Sequence, residues 1–468
     1  MAGSLSAAGV NLQPSGERVA LASNYLTSSD FNFLNQYLPD TYEAEFERYG
    51  NRTVAAFLRM VGAEMPTNSD LIKWSEHSRL HPKYVSCTTP ANAGDAVATF
   101  TIADTGVTDG AIRVGQTVMI SSNTAGSTAS NKAIVTGVSA LSPSSANTVS
   151  VAYYESGGQA MAAAEVCTIF VYGSEFAKGQ TGMVGTVEAE PQIFDNSPII
   201  LKDKYSVNGS DLAQVGWIEV STENGASGYL WYLKSEHETR LRFEDYMETA
   251  MIEAVPMENS TNAALAKGTK GIFHEVESRG NEWNGGNPTT LSDFDTIIQR
   301  LDKQGSIEEN VLFINRQFSF DIDDMLAAQN SYGAGGTSYG LFDNDEQMAL
   351  NLGFSGFRRG YDFYKTDWKY LNDASMRGGI TAGKVNGLLV PAGSTTVYDQ
   401  ILGKNAVRPF LHVRYRASEA EDRRYKTWIT GSAGAAGMSS DLDAMEVHFL
   451  SERAVCVMGA NNFFIFKD

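Results

Sequence analysis

Residues 227–256 read SGYLWYLKSEHETRLRFEDYMETAMIEAVP and give the strongest helical signal in the chain. Ser227 stands where a cap belongs and Pro256 where a helix must stop. Glu236 and Arg240, and Glu238 and Arg242, are spaced i,i+4 with the carboxylate toward the N-terminus, the favourable order. A helix of about 28 residues would run roughly 42 Å at 1.5 Å per residue, longer than most domain helices. Such a rod either lies across a flat sheet as a spine or covers a core as an ordinary amphipathic helix. The stretch alone leaves both readings open.

Downstream, SDFDTIIQRLDKQG, NVLFINRQF and FDIDDMLAAQ between 291 and 328 predict helix, strand and helix, an α/β order. From about 408, PFLHVRYRAS, RYKTWITGS, MEVHFLSERAVCVM and NNFFIFKD read as strands that return to the helix. Upstream, 171–224 suggests long strands around a Gly-rich bend, a projecting hairpin that belongs with 71–86. Between these flanks, 87–170 changes composition. Few charges and short alternating runs such as AVATFTIA, QTVMISS, KAIVTGV and NTVSVAYY predict a small antiparallel sandwich or barrel. Cys87 and Cys167 bracket this insertion, so they should be near neighbours, though not bonded. Residues 41–62 carry helical spacing, and the first 40 read as an extended arm.

The chain has 468 residues, enough for about three structural units, and its 43% apolar and 19% charged content is that of a globular protein. A net charge of −19 argues against a broad nucleic-acid-binding face, which needs Lys and Arg to displace counterions. Three widely spaced cysteines make neither a disulfide framework nor a zinc site. No secretion signal and no membrane-spanning apolar run is present, so a soluble protein made in the cytoplasm is expected.

Chemical motifs are weak. YGAGGTSYG at 332–340, with Gly333, Gly335 and Gly336, has no Walker lysine, and Ser338 stands where a dinucleotide loop needs its third glycine. It follows a helical pattern and reads as a structural turn. His77 and His81 are i,i+4 beside Glu76, but Pro82 opposes a helix there, and no metal site is expected. The acidic clusters DIDD at 321–324 and DNDE at 343–346 suit helix starts; a glycosidase pair including Asp321 or Asp323 would need partners brought together in space. No nucleophile elbow occurs. No cofactor is expected.

The order of parts, with SEFAKGQ (174–180), NVLFINRQ (310–317), MLAAQNSYGAGGTSYGLFDNDEQMALNLGFSGF (325–357) and DLDAMEVHFLSERAVCVMGANNFF (441–464), resembles the major capsid protein of tailed bacteriophages with the Hong Kong 97-type fold, in the crAss-like group or its relatives. The resemblance covers most of 171–468. It implies an α+β fold in five parts: an N-terminal arm (1–70), an extended loop (71–86 and 171–224), an inserted β domain (87–170), a peripheral domain (225–290 and 405–468, with 227–256 as spine) and an axial domain (291–404). It also implies a non-enzymatic structural protein that assembles with itself into hexamers and pentamers. These would form the icosahedral virion head, made in the host cytoplasm, around double-stranded DNA held by weak contacts. Separate scaffold, portal and auxiliary head proteins would be partners. Candidate subunit contacts are Phe176 and Ile193 as apolar anchors, Lys178, Glu188 and Glu190 as ionic partners, the helix charges Glu236, Glu238, Arg240 and Arg242, and the flexible Gly333, Gly335 and Gly336. The alternatives are an encapsulin-type cellular shell and a carbohydrate-active enzyme with an accessory β domain.

Overall fold

The computed structural model describes residues 63–468 except 103–110, 140–146, 186–190, 214–219, 222–226, 229–230, 262–265, 330–354, 400–403, 435–436 and the single positions 78, 80, 82, 93, 95, 260, 306 and 393. The helical pattern at 41–62, the glycine loop at 332–340, Glu188 and Glu190 lie outside the described residues. Two compact units emerge: residues 74–194, and residues 195–468 with the segment up to Lys73.

Strand β1 (Ala63–Thr67) and strand β2 (Ile72–His77) precede the barrel of the first unit. That barrel closes from β3 (Lys83–Thr88), β4 (Ala98–Ile102), β5 (Gln116–Ser122), β6 (Ser130–Val138), β7 (Asn147–Tyr153) and β8 (Val166–Ser174) in the order β3-β4-β7-β6-β5-β8. Alternation builds it: along β4, Ala98, Phe100 and Ile102 point inward while Thr99 and Thr101 face out. Phe100, Val118, Ile120, Val135, Val149, Val151 and Ile169 fill the interior. Closure removes the exposed edges that an open sheet of this size would carry. Cys87 and Cys167 are direct register partners, both buried and both free thiols. The barrel is wider in sequence than 87–170. Lys83 and Tyr84 already pair with β8, and Gly173 and Ser174 pair with β5, so the loop flanks assigned to 171–174 and 83–86 are barrel wall. Ser86, at φ 61°, marks the bulge where the β3–β8 register shifts.

Strand β9 (Pro191–Asn196) pairs with β2 as a two-stranded ribbon. In the second unit, β10 (Ile199–Asn208) begins a five-stranded sheet. A short pair, β11 (Val220–Ser221) with β12 (Ser227–Gly228), precedes the long helix α1 (Trp231–Glu253). The helix is therefore shorter than 227–256. Ser227 is in a strand and not a cap, and at the other end Pro256 bridges Gly268 after the last turn. Helix α2 (Ile272–Arg279), β13 (Asn281–Asn284), helix α3 (Leu291–Gln304), β14 (Glu309–Ile314) and helix α4 (Arg316–Gln329) follow. Asn315 ends the strand: its Oδ1 accepts the Phe318 N–H at 2.7 Å, so NRQF turns into helix where extension was expected. A capping box starts α3, where Thr290 accepts from Asp293 N–H and Asp293 accepts from Thr290 N–H.

The remaining strands are β15 (Gly356–Arg359), β16 (Tyr361–Asp367), β17 (Val385–Pro391), the hairpin β18 (Ser394–Asp399) and β19 (Lys404–Pro409), then β20 (Leu411–Arg416), β21 (Lys426–Gly431), β22 (Ala444–Val457) and β23 (Phe464–Lys467). Strand β22 organises one sheet, carrying β10 along one side and β21 then β20 along the other. Strand β1 adds in parallel to β20, so residues 63–67 of the expected free arm are an integral strand. The second sheet runs β13-β23-β17-β14-β16-β15. It buries both faces. Leu312, Ile314, Leu389, Phe464 and Phe466 meet α3 and α4, while Phe313, Leu388 and Ile465 share a cluster with α2 and the end of α1. The closing strands thus divide. β20–β22 belong with α1, whose Phe243 stacks on Phe449 at 5.9 Å, but β23 lies inside the sheet expected to be built from 291–404 alone. Its Phe-Ile-Phe run, buried on both faces, is what a central strand requires.

Candidate subunit-contact surface

The ribbon β2–β9 contributes no residue to any of the four apolar clusters formed by the described residues. The Trp74 and Phe194 rings sit 6.4 Å apart, and the Trp74 indole donates to Glu76 at 3.0 Å. Ile193, on β9, is 68% exposed, and Val184, in the preceding segment, is 82% exposed. An isolated two-stranded ribbon is marginally stable in water, so this one gains most from a further surface.

Asn196, the last residue of β9, belongs to the second unit. This side chain is buried and fully used. Its Nδ2 donates to the carbonyls of Lys270 at 2.9 Å and Val455 at 2.7 Å, and its Oδ1 accepts from Thr269 Oγ1, Lys270 N–H and Ser197 N–H at 2.8, 2.9 and 2.8 Å. Lys270 Nζ reaches back to the Asp195 carboxylate at 2.7 Å, which holds that carboxyl below its usual range. Nothing in FDNSP signals this, because all the partners but Ser197 are distant in sequence.

Of the expected contact residues in the extended loop, Phe176, Lys178 and Ile193 are described, and all three are exposed. Phe176 is only in part an outward anchor: its ring lies over Gly115 of the barrel, at φ +88°, where a Cβ would collide with it. Glu236, Glu238, Arg240 and Arg242 lie on α1, as expected, but the ion pairs formed differ from the expected Glu236–Arg240 and Glu238–Arg242. Arg242 leaves the helix for Asp203 on β10 at 2.9 Å, Arg240 reaches forward to Glu244 at 3.7 Å, and Glu238 meets Lys234 at 3.9 Å. Packing on β10 supplies Arg242 with a partner that a helix considered alone lacks. Burial pushes the Glu236 carboxyl up, with Arg240 opposing. Gly333, Gly335 and Gly336 lie outside the described residues, with Glu188 and Glu190.

An arginine-rich network missed in the sequence holds β1. Glu64 pairs with Arg424 and with the buried Arg453, Glu452 pairs with Arg423 at 2.8 Å, and Arg416 pairs with Asp70 at 2.6 Å. Arg453 is further tied to Ser451 Oγ at 2.8 Å and the Arg424 carbonyl at 3.0 Å. Among the described residues no group of His, Cys, Asp and Glu is placed to hold a metal ion, and no helix is long and apolar enough to cross a membrane.

No family profile matches the sequence, and no curated protein matches it. Solved structures similar to the chain include one from Microbacterium phage Oxtober96, at 9% identity and TM-score 0.39, covering 94% of this chain and 98% of that one. The capsid of a native GTA particle is similar at 8% identity and TM-score 0.39, covering 92% and 94%. The holo-SrpI encapsulin complex from Synechococcus elongatus PCC 7942 is similar at 12% identity and TM-score 0.33, covering 60% and 77%.

Proposed function

We propose that this chain is a shell-building coat protein, a phage major capsid protein of the Hong Kong 97 type, that tiles through hexamers and pentamers into a closed head around double-stranded DNA. The observation that carries this reading is the ribbon β2–β9, which exposes Ile193 and belongs to no apolar cluster of the described residues. A ribbon of that kind contributes most when a neighbouring copy covers it, and head-to-tail contacts repeated around a closed shell let many modest interfaces add. The net charge of −19 supports a container wall that repels packaged phosphates weakly and releases them. On this reading the chain performs no catalysis. Scaffold, portal and auxiliary proteins would be supplied separately.

The test is co-expression with the neighbouring head genes, followed by sedimentation and electron microscopy. Closed shells of uniform size containing DNA are expected, and Ile193→Asp is expected to reduce shell yield while leaving the unassembled chain folded. A chain that stays monomeric under every assembly condition would overturn the reading. Shells that hold a protein cargo and no DNA would replace the phage head with a cellular compartment.

A further inference from the structure

The barrel carries an open cleft of about 570 Å³ on its outer wall. Its lining includes Thr117, Lys132, Tyr154, Glu155, Tyr172 and Glu175. Tyr154 and Tyr172 are each 47% exposed, large aromatic surfaces left in water with no apolar neighbour cluster of their own. The Tyr154 hydroxyl donates to Glu175 Oε2 at 2.5 Å, which fixes its ring beside the cleft. Partial desolvation and then the Glu175 carboxylate push that phenol up to about 12, so the donor stays protonated. The floor is kept open by Gly173, opposite Thr117 across β5 and β8: a Cβ there would lie 3.1 Å from the Thr117 hydroxyl.

We propose that this cleft binds an uncharged oligosaccharide. Exposed tyrosines offer flat apolar faces to the C–H face of a pyranose ring, while their hydroxyls and the flanking side chains serve its hydroxyl groups. Glu155 and Glu175 supply acceptors, Lys132 and Thr117 supply donors, and together the three charged groups leave the site short of the positive charge that a phosphate or nucleic-acid ligand needs. A peptide adding as a strand has no edge to pair with, because the barrel is closed. The cleft is open to solvent, so a glycan longer than the site can bind by part of its chain.

The test uses the full chain, unassembled, titrated by calorimetry with maltotetraose, cellotetraose and tetra-N-acetylchitotetraose at millimolar concentrations. Saturable binding of at least one is expected. Tyr172→Ala is expected to weaken it by about tenfold, the loss of one stacking face, and Gly173→Ala to weaken it by crowding Thr117, both with an unchanged circular dichroism spectrum. Glu155→Gln, on the surface, provides a variant that leaves the barrel packing untouched and should weaken binding less. The proposal is overturned by absence of binding to all three glycans, by wild-type affinity in Tyr172→Ala, or by stronger binding of an anionic oligosaccharide or oligonucleotide. None of these outcomes bears on shell formation, which is read separately by sedimentation.

Discussion

Asn196 shows how much one side chain can carry. It makes five hydrogen bonds in a buried setting, four of them to partners 73 to 259 residues away, so its sequence neighbourhood holds little trace of the role. Asn196→Ala would strand the buried carbonyl of Val455 and the Lys270 N–H, and each orphaned group costs about 1–3 kcal/mol. A stability loss of about 2–4 kcal/mol is expected, read as a lower urea midpoint with an unchanged slope. The two barrel cysteines present the opposite case. Their adjacency followed from the logic of an insertion whose ends must meet, and the register pairs them directly. Burial pushes the Cys87 thiol up to about 11 and the Cys167 thiol up to about 12, so both stay neutral at ordinary pH. A maleimide at about pH 7.5 should leave both unmodified in the folded chain and label them after denaturation, since the thiolate is the nucleophile. Rapid native labelling would show that the barrel opens.

At the scale of elements, α1 was legible from its periodicity, but its first turn and its ion pairs were not. Ser227 has the chemistry of a cap, yet pairing with β11 takes it into a strand. Arg242 finds Asp203 because α1 packs on β10, a neighbour that sequence spacing does not name. Strand β1 was hidden in the supposed arm, since five residues added in parallel to an edge have no turn or alternation to announce them. Its fastening depends on Glu64. Glu64→Ala should release β1 and leave the buried Arg453 under-compensated, at a cost of about 1–3 kcal/mol; faster proteolysis near residues 63–70 is the measurement. Strand β23 has its own pH signature. Asn386 and then Lys384 hold the Asp468 carboxyl below its usual range, and Lys467 does the same for Glu282. Depressed folded values mean stability that is present above about pH 4 and lost as pH falls through the lowered values. The melting temperature should therefore drop between about pH 5 and about pH 3, and Asp468→Asn should flatten that drop. An acid profile identical in wild type and variant would remove β23 from the explanation.

At the scale of the whole molecule, the barrel is the testable module. Thr88 and Val166 face each other in register, so an Asn-Gly turn joining them should excise β4–β7 and leave β3 and β8 as a hairpin. The remaining unit has its own apolar clusters in two sheets and four labelled helices, and it should retain a cooperative urea transition and its helical circular dichroism signal. Loss of all cooperative folding would mean that the two units are not energetically separable.

The sequence alone determined the helix at α1, the α/β order of 291–328, the inserted β unit and the absence of a recognisable catalytic motif, because each is written in local periodicity, composition or spacing. Tertiary structure alone decided that the β unit closes, that β1 and β23 join sheets built far away in the chain, and that Asn196 and the Glu64 network tie distant segments together. Those outcomes depend on which buried edges and polar groups meet in space, and a buried donor or acceptor must find its partner wherever the fold brings one.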